Sequence, residues 1–402
     1  MVFEPSKSAL DKAVGMTVYA RPEAYVSGLK LRVSPSTFKV IEVGADGSLA
    51  IPERWAGACK DEYKCVRREA VRYVMCKVGV PTHRAVKALE RVLKLRVGYA
   101  GLKDSNAFTC QFITVKCRPE ATLKCSYVLL DGAVRVSYAG VVGEMIKRGE
   151  LEGNLFMVNI NCKDAEVKGI RRCLDVLRRK PFPNFYGYQR FGSRRPVSHL
   201  IGEALVSGDY RKAVDRLLLP SEVGSESPKV LRARKLYARG LWREALREFP
   251  RSFAAERRVL KELIRGSSYR RALMSVGSWL IRFFIEAYQS YLFNMALSKA
   301  IAMNGGLDEL ISKCEVFPLP HHNVVKSDEC SAYVVSVMKE HGFKPVSSAL
   351  KYLKRGVRDT YTYVRSLKAK LNEDELLLNF ELKPASYATV VLREILRDGL
   401  EV

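Results

Sequence analysis

The chain has 402 residues, 48% of them hydrophobic, and its 68 lysines and arginines against 43 aspartates and glutamates give a formal net charge of +25. That length leaves room for roughly two or three domains with cores of their own, and so large a positive excess selects polyanions as partners, nucleic acid first. A membrane is disfavoured: residues 1–18 lack a signal-peptide hydrophobic region, no uncharged apolar run reaches the ~18 residues of a span, and the most apolar stretch, 279–293, is broken by Arg282 and Glu286. The expectation is a soluble, cytoplasmic, monomeric protein that binds nucleic acid.

Residues 37–43, Thr-Phe-Lys-Val-Ile-Glu-Val, alternate across two faces and predict a strand, ended by the turn Gly44-Ala-Asp-Gly47. Segments 67–78 and 82–94 are read as two helices. In the second, Thr82 stands as N-cap after Pro81, and Val86, Leu89, Val92 and Leu93 recur at helical spacing. The run Gly98-Tyr-Ala-Gly-Leu-Lys-Asp104 then makes a tight turn at the mouth of a strand expected over 107–117. Strands are expected at 134–142 and 155–161, and a helix over 165–179 with Ile170, Cys173, Leu174 and Leu177 turned inward. The next stretch, Pro181-Phe-Pro-Asn-Phe-Tyr-Gly-Tyr-Gln-Arg-Phe-Gly192, is dense in aromatics.

From 197 to about 302 helical patterns dominate (197–206, 210–218, 256–263, 268–302), with a loop at 221–229. Strand texture returns after 351, at 360–366 and 376–382, and the chain closes on Ser386-Tyr-Ala-Thr-Val-Val-Leu-Arg-Glu-Ile395. This order predicts an α+β domain interrupted by a largely helical insertion.

The ten cysteines contain no Cys-x-x-Cys pair. Cys110, Cys117 and Cys125 are spaced for strands rather than zinc, and Cys314, His321, His322 and Cys330 match no structural zinc pattern, so no metal is expected. The cysteines are read as small buried apolar residues in a reducing compartment, with disulfides as the alternative for a hyperthermophile.

Common catalytic signatures are absent: no Gly-x-Gly-x-x-Gly after a strand, no phosphate loop, no Gly-x-Ser-x-Gly elbow and no zinc-deaminase pattern. Chemistry is left to a carboxylate, basic groups and aromatics. Taken alone, Lys103-Asp104 is ordinary turn chemistry, and the aromatic run 182–191 reads as a core strand. Taken as a site, that run suits an unstacked base. Asn184 would meet the imide edge of a uracil, Tyr186 or Tyr188 would supply a ring face, and Gln189 and Arg190 would supply hydrogen bonds and charge.

Six stretches in order give these readings a common source. Gly98-Tyr-Ala-Gly-Leu-Lys-Asp…Ala107-x-Thr-x-Gln111 and Asn184-Phe-Tyr-Gly-Tyr-Gln-Arg-Phe-Gly192 resemble the two principal motifs of the TruD family of tRNA pseudouridine synthases, in its archaeal and eukaryotic-like branch. Phe38-Lys-Val-x-Glu42, Gly153-Asn-x-Phe156, Tyr288-Gln-Ser-x-Leu-Phe-Asn294 and Ser386-Tyr-Ala-Thr-x-x-Leu-Arg-Glu394 also match, so the resemblance spans about 38–394.

It implies an α+β pseudouridine synthase catalytic domain with a mixed antiparallel sheet (1–195 and 351–402), interrupted by the TruD insertion domain (196–350). It implies tRNA as partner, no cofactor, and isomerisation of a uridine, typically position 13 in the D-arm. The nucleophile maps to Asp104, and the uridine pocket to Phe38, Asn184 and Tyr387, with Tyr186, Lys103, Gln189 and Arg190 as further substrate contacts. Two departures stand out: tyrosine replaces the commoner phenylalanine at 186 and 387, and Ala385 stands where relatives usually carry glycine. A lysine or arginine is expected to pair with Asp104 and keep it ionised in a dry cleft. The competing reading is a non-catalytic tRNA-binding or remodelling protein of the same fold; a methyltransferase lacks a supporting glycine motif.

Overall fold

The computed structural model describes residues 3–66, 69–192 and 194–401. Its main sheet has nine strands: β1 (Phe38–Gly44), β2 (Ala70–Lys77), β3 (Val97–Tyr99), β4 (Phe108–Lys116), β5 (Ser126–Leu129), β6 (Val134–Val142), β7 (Leu151–Asn161), β8 (Arg365–Leu371) and β9 (Glu375–Leu382). They lie in the order β5-β6-β2-β4-β1-β7-β9-β8, with β3 beside β4. Neighbours are antiparallel except β1 and β4, which run parallel. The mixed sheet of an α+β fold is therefore present, and its last two strands arrive after a long helical stretch.

Segment 67–78 is not a helix. Residues 70–77, Ala-Val-Arg-Tyr-Val-Met-Cys-Lys, form the central strand β2 between β6 and β4. All but Arg72 are buried, and a short run buried on both faces lacks the alternation that distinguishes a strand from a buried helix. Arg67 and Arg68 lie outside the described residues. The second expected helix is present as α1 (Thr82–Leu93), but Pro81 takes the N-cap position and the Thr82 hydroxyl is used elsewhere. The helix expected over 165–179 is α2 (Val167–Arg179), with Ile170, Cys173 and Leu177 buried.

Between Ser198 and Leu350 the chain is mostly helical. The pattern over 268–302 splits at Gly277, whose φ of +96° ends one helix (Tyr269–Met274) before the long α3 (Ser278–Met303). These helices share one apolar core, joined by Val14, Met16, Phe185, Tyr188 and Phe191. The closing run, expected with strands, is helix α4 (Ala388–Leu396).

The reading of the cysteines as unpaired is also corrected. Cys59–Cys125, Cys65–Cys117, Cys76–Cys110 and Cys314–Cys330 are disulfides, leaving Cys162 and Cys173 free and buried. Cys76 and Cys110 are direct partners across β2 and β4.

Side chains alternate across a sheet, and on one face this produces two apolar patches. Tyr73, Met75, Ile113 and Val115 pack beneath Ala85, Val86 and Leu89 of α1. Phe38, Val40, Phe156, Leu378 and Phe380 pack with Ile170 and Cys173 of α2 and Val391 and Leu392 of α4. Between the patches, register puts polar residues on that same face: Lys77 opposite Thr109, Gln111 opposite Met75, and Asn154 opposite Glu42.

Candidate active site

The loop carrying Asp104 lies over this polar row. β3 runs back along the second half of β4, with Tyr99 opposite Ile113, while the first half of β4 pairs with β1. Residues 100–107 must therefore return across the sheet face to begin β4, and four buried side chains hold them there. Thr82 Oγ1 accepts the Lys103 N–H (2.9 Å), and Gln111 Nε2 donates to the Gly101 carbonyl (3.0 Å). Lys77 Nζ donates to the carbonyls of Lys103 (3.2 Å) and Asp104 (2.7 Å). Lys103 Nζ lies 2.6 Å from Glu42 Oε2 and 2.6 Å from Asn154 Oδ1.

These placements set the charges. Burial pushes the Glu42 carboxyl up, and the Lys103 ammonium opposes it. Burial brings the Lys77 ammonium down to about 8; the Asp104 carboxylate opposes that fall and the Lys103 charge adds to it. Asp104 itself is half-buried, and among the described residues its carboxylate takes one hydrogen bond, from the Asn106 N–H (3.0 Å), and no ion pair. Lys103 is committed to Glu42, and the expected pairing of Asp104 with a lysine or arginine is not found among the described residues; the cation bonded to this loop is Lys77. It grips the backbone of the loop rather than the carboxylate, leaving that carboxylate unencumbered.

The second motif forms an aromatic wall. Tyr186 and Tyr387 lie with ring centroids 6.2 Å apart, and the Arg358 guanidinium stands 4.0 Å from the Tyr186 ring centre and 5.9 Å from that of Tyr387. Arg358 also donates to Asn184 Oδ1 (2.9 Å) and to the Asn184 backbone carbonyl (2.9 Å). Asn184 Nδ2 donates to the Asp359 carbonyl (3.1 Å). The amide is thereby fixed in one orientation, with its oxygen occupied and one N–H left over. Gly187 is required by the wall: a Cβ there would stand 2.8 Å from Cδ1 of Tyr387.

The remaining expected residues divide. Phe38 is 2% exposed, in the same apolar cluster as Ala107 and Ala388, with its ring 5.9 Å from that of Phe156. Gln189 Oε1 accepts from Thr389 (3.2 Å), tying the second motif to the last. Arg190 turns toward the helical core, with Nη2 2.9 Å from Glu286 Oε2 and its guanidinium 5.8 Å from the Tyr186 ring. Tyr188 is buried, its hydroxyl bonded to Asp11, which also pairs with Arg393. Ala385 has φ of +64°, a left-handed conformation that favours glycine, which accounts for the residue relatives usually carry.

Several residues of the site were unassigned from sequence. Glu42, Asn154 and Gln111 lay inside the matching motifs and gain a role only once they meet Lys103 and the loop. Asn294 belongs with them: its side chain accepts the Tyr186 N–H (2.8 Å) and donates to the Tyr186 carbonyl (3.0 Å). Lys77 was hidden by the helix reading of its segment, and Arg358 lies outside every matched stretch.

Comparison with known proteins points to one family. The family model described as tRNA pseudouridine synthase D (TruD) matches residues 13–317. A Saccharolobus solfataricus protein named "Probable tRNA pseudouridine synthase D" is 31% identical over 90% of this chain and 90% of its own length. A protein of the same name from Sulfurisphaera tokodaii is 32% identical over 96% of this chain and 98% of its own. The crystal structure of a Methanosarcina mazei protein assigned to tRNA pseudouridine synthase D superposes with a TM-score of 0.64 at 22% identity, covering 96% of this chain and 97% of that one, which speaks to the fold. The family-model match includes Asp104 and Asn184 and stops short of Arg358 and Tyr387.

Proposed function

This chain belongs to the TruD family of tRNA pseudouridine synthases, which are isomerases, and from that premise we propose that it converts a D-arm uridine of tRNA, position 13, to pseudouridine with Asp104 as nucleophile. The observation that carries the reading is the clamp on the Asp104 loop. Lys77, Thr82, Lys103 and Gln111 hold the loop on the sheet, while among the described residues the carboxylate keeps only a hydrogen bond from within its own loop. A loop held for purely structural reasons would spend its acidic side chain on one of the cations packed around it.

The reaction breaks the N1–C1′ bond, turns the freed uracil, and joins C5 to C1′; C5 loses a proton and N1 gains one. A carboxylate serves either route to this exchange, adding at the sugar or acting there as a base. Lys77 holds the loop through the carbonyls of Lys103 and Asp104, leaving the carboxylate free to act. Tyr186 and Tyr387 offer ring faces on which a detached uracil can turn while stacked, and the free N–H of Asn184 can meet one of its carbonyl oxygens.

The catalytic domain in this reading comprises 1–195 and 351–402, and 196–350 is the insertion domain. RNA would lie between them, in the cytoplasm, with the net charge of +25 supplying a salt-dependent affinity. Among the described residues no helix is long and apolar enough to cross a membrane.

The test is an unmodified tRNA transcript incubated with the protein, with pseudouridine located by carbodiimide-adduct primer extension. A stop one nucleotide 3′ to the D-arm uridine, absent when that uridine is replaced by cytidine, is expected. Absence of any stop on a full set of tRNA transcripts would remove the enzymatic reading in favour of a binding protein.

A further inference from the structure

Trp279, the second residue of α3, is 51% exposed although tryptophan has more to gain from burial than any other side chain. One side of its ring stacks on Phe283, one helical turn along, with centroids 5.9 Å apart and planes 16° from parallel. At 5.4 Å stands the imidazole of His83. His83 follows Thr82, whose hydroxyl holds the Lys103 N–H, so Trp279 stands beside the segment that clamps the Asp104 loop.

The ring also belongs to a longer strip. Phe283 is 5.6 Å from the Arg190 guanidinium, Arg190 is 5.8 Å from Tyr186, and Tyr186 is 6.2 Å from Tyr387. Each of these four residues is partly exposed. Flat side chains thus line a path from the loop of Asp104 to the candidate uridine wall. Arg84, Lys87 and Arg282 are exposed near the Trp279 end, and among the described residues none of them forms an ion pair. Burial and the Lys87 charge bring the His83 imidazole down.

A tryptophan serving only to join α3 to α1 would be covered by the contact it makes. Here half the ring is left open, backed by a parallel ring and set among unpaired cations. Aromatic faces interleaved with positive charge are how proteins hold unpaired bases without reading them. A base removed from its stack leaves neighbours that need support.

We propose that Trp279 is a stacking platform for an unpaired nucleobase of the RNA strand flanking the uridine delivered to Asp104. The inference rests on the tRNA reading above and adds to it a contact outside the uridine pocket.

The test uses the full chain and a tRNA transcript. Trp279→Ala is expected to raise Kd and KM roughly five- to a hundredfold, with kcat within about threefold and the slope of log Kd against log salt unchanged, because no phosphate contact is lost. Trp279→Phe keeps a ring and is expected to restore most of the affinity. In a Trp55→Phe/Trp242→Phe protein Trp279 is the sole tryptophan, and its emission should be quenched by the transcript and not by heparin, a polyanion without bases.

Kd and KM for Trp279→Ala within twofold of wild type would overturn the proposal. So would emission unchanged at saturating RNA, or quenched equally by heparin. These outcomes leave the function reading standing if wild type makes pseudouridine. If wild type makes none while Trp279→Ala still weakens RNA binding, the platform stands and the enzymatic reading falls.

Discussion

Lys103 and Glu42 form a buried ion pair, Nζ to Oε2 2.6 Å, with side-chain exposures of 4% and 1%. This assigns the lysine of the Lys-Asp dipeptide to holding its loop on the sheet. Breaking such a pair from one side strands a charge in the interior, which costs roughly 3–5 kcal/mol. Lys103→Met and Glu42→Gln should each lower unfolding free energy in urea by about that much and abolish turnover. The double variant should recover more than half of the stability, because neither charge then remains alone. Single-variant losses that simply add would show that the two residues do not interact.

Lys77 predicts a pH dependence. Its ammonium is brought from the ordinary 10.5 down to about 8. The unfolded chain therefore binds this proton more tightly, and between about pH 8 and 10.5 the Lys77 contribution to stability rises with pH as the cost of its buried charge is relieved. Activity should move the other way, since deprotonation removes the positive charge next to Asp104. The alkaline limb of kcat/KM is expected near pH 8 in wild type and displaced upward in Lys77→Arg, whose guanidinium stays charged. Identical limbs in the two proteins would exclude Lys77 as their source.

Arg358 fixes Asn184 and stacks on Tyr186. Lysine keeps the charge and loses both the fork and the flat face. Arg358→Lys should remain folded, with a melting curve close to wild type, and lower kcat/KM roughly ten- to a hundredfold, as loss of charged hydrogen bonds at ~1.5–3 kcal/mol each implies. Asn184→Ala combined with Arg358→Lys should be little worse than either alone, because the two act as one unit. Independent, multiplying effects would contradict the coupling.

The cysteines give a direct count. Oxidised protein unfolded in denaturant should show two reactive thiols, Cys162 and Cys173, and reduced protein ten. The Cys65–Cys117 and Cys59–Cys125 links span 52 and 66 residues, and closing loops of that length contributes about 4 kcal/mol each in the chain-entropy account. Reduction should therefore lower the melting temperature, by roughly 10 °C for a chain of this length. Ten thiols before reduction would refute the pairing.

What sequence could and could not reveal follows from how far each residue's partner lies along the chain. The turn that carries Asp104 was legible because its motif is local, and so were the strand at 134–142 and the helix at 210–218, where one periodicity dominates. Lys77 was not, because on the helix read at 67–78 it could never stand opposite Thr109; burial on both faces removed the alternation that marks a strand. Arg358 is separated from Asn184 by 174 residues, and nothing in either neighbourhood names the other. Glu42, Gln111 and Asn154 were visible as motif letters without a reason. The reason is one polar row, assembled from four strands, a helix start and the loop itself.

The central claim is that Asp104 performs the chemistry while the residues around it position the loop. Single-turnover conversion of a tRNA transcript with enzyme in excess tests it most directly, comparing wild type with Asp104→Ala and reading pseudouridine by carbodiimide-adduct primer extension alongside Kd for the same RNA. The account predicts complete conversion by wild type and none above background by Asp104→Ala, with Kd within about threefold. Conversion by Asp104→Ala at a rate near that of wild type would contradict it.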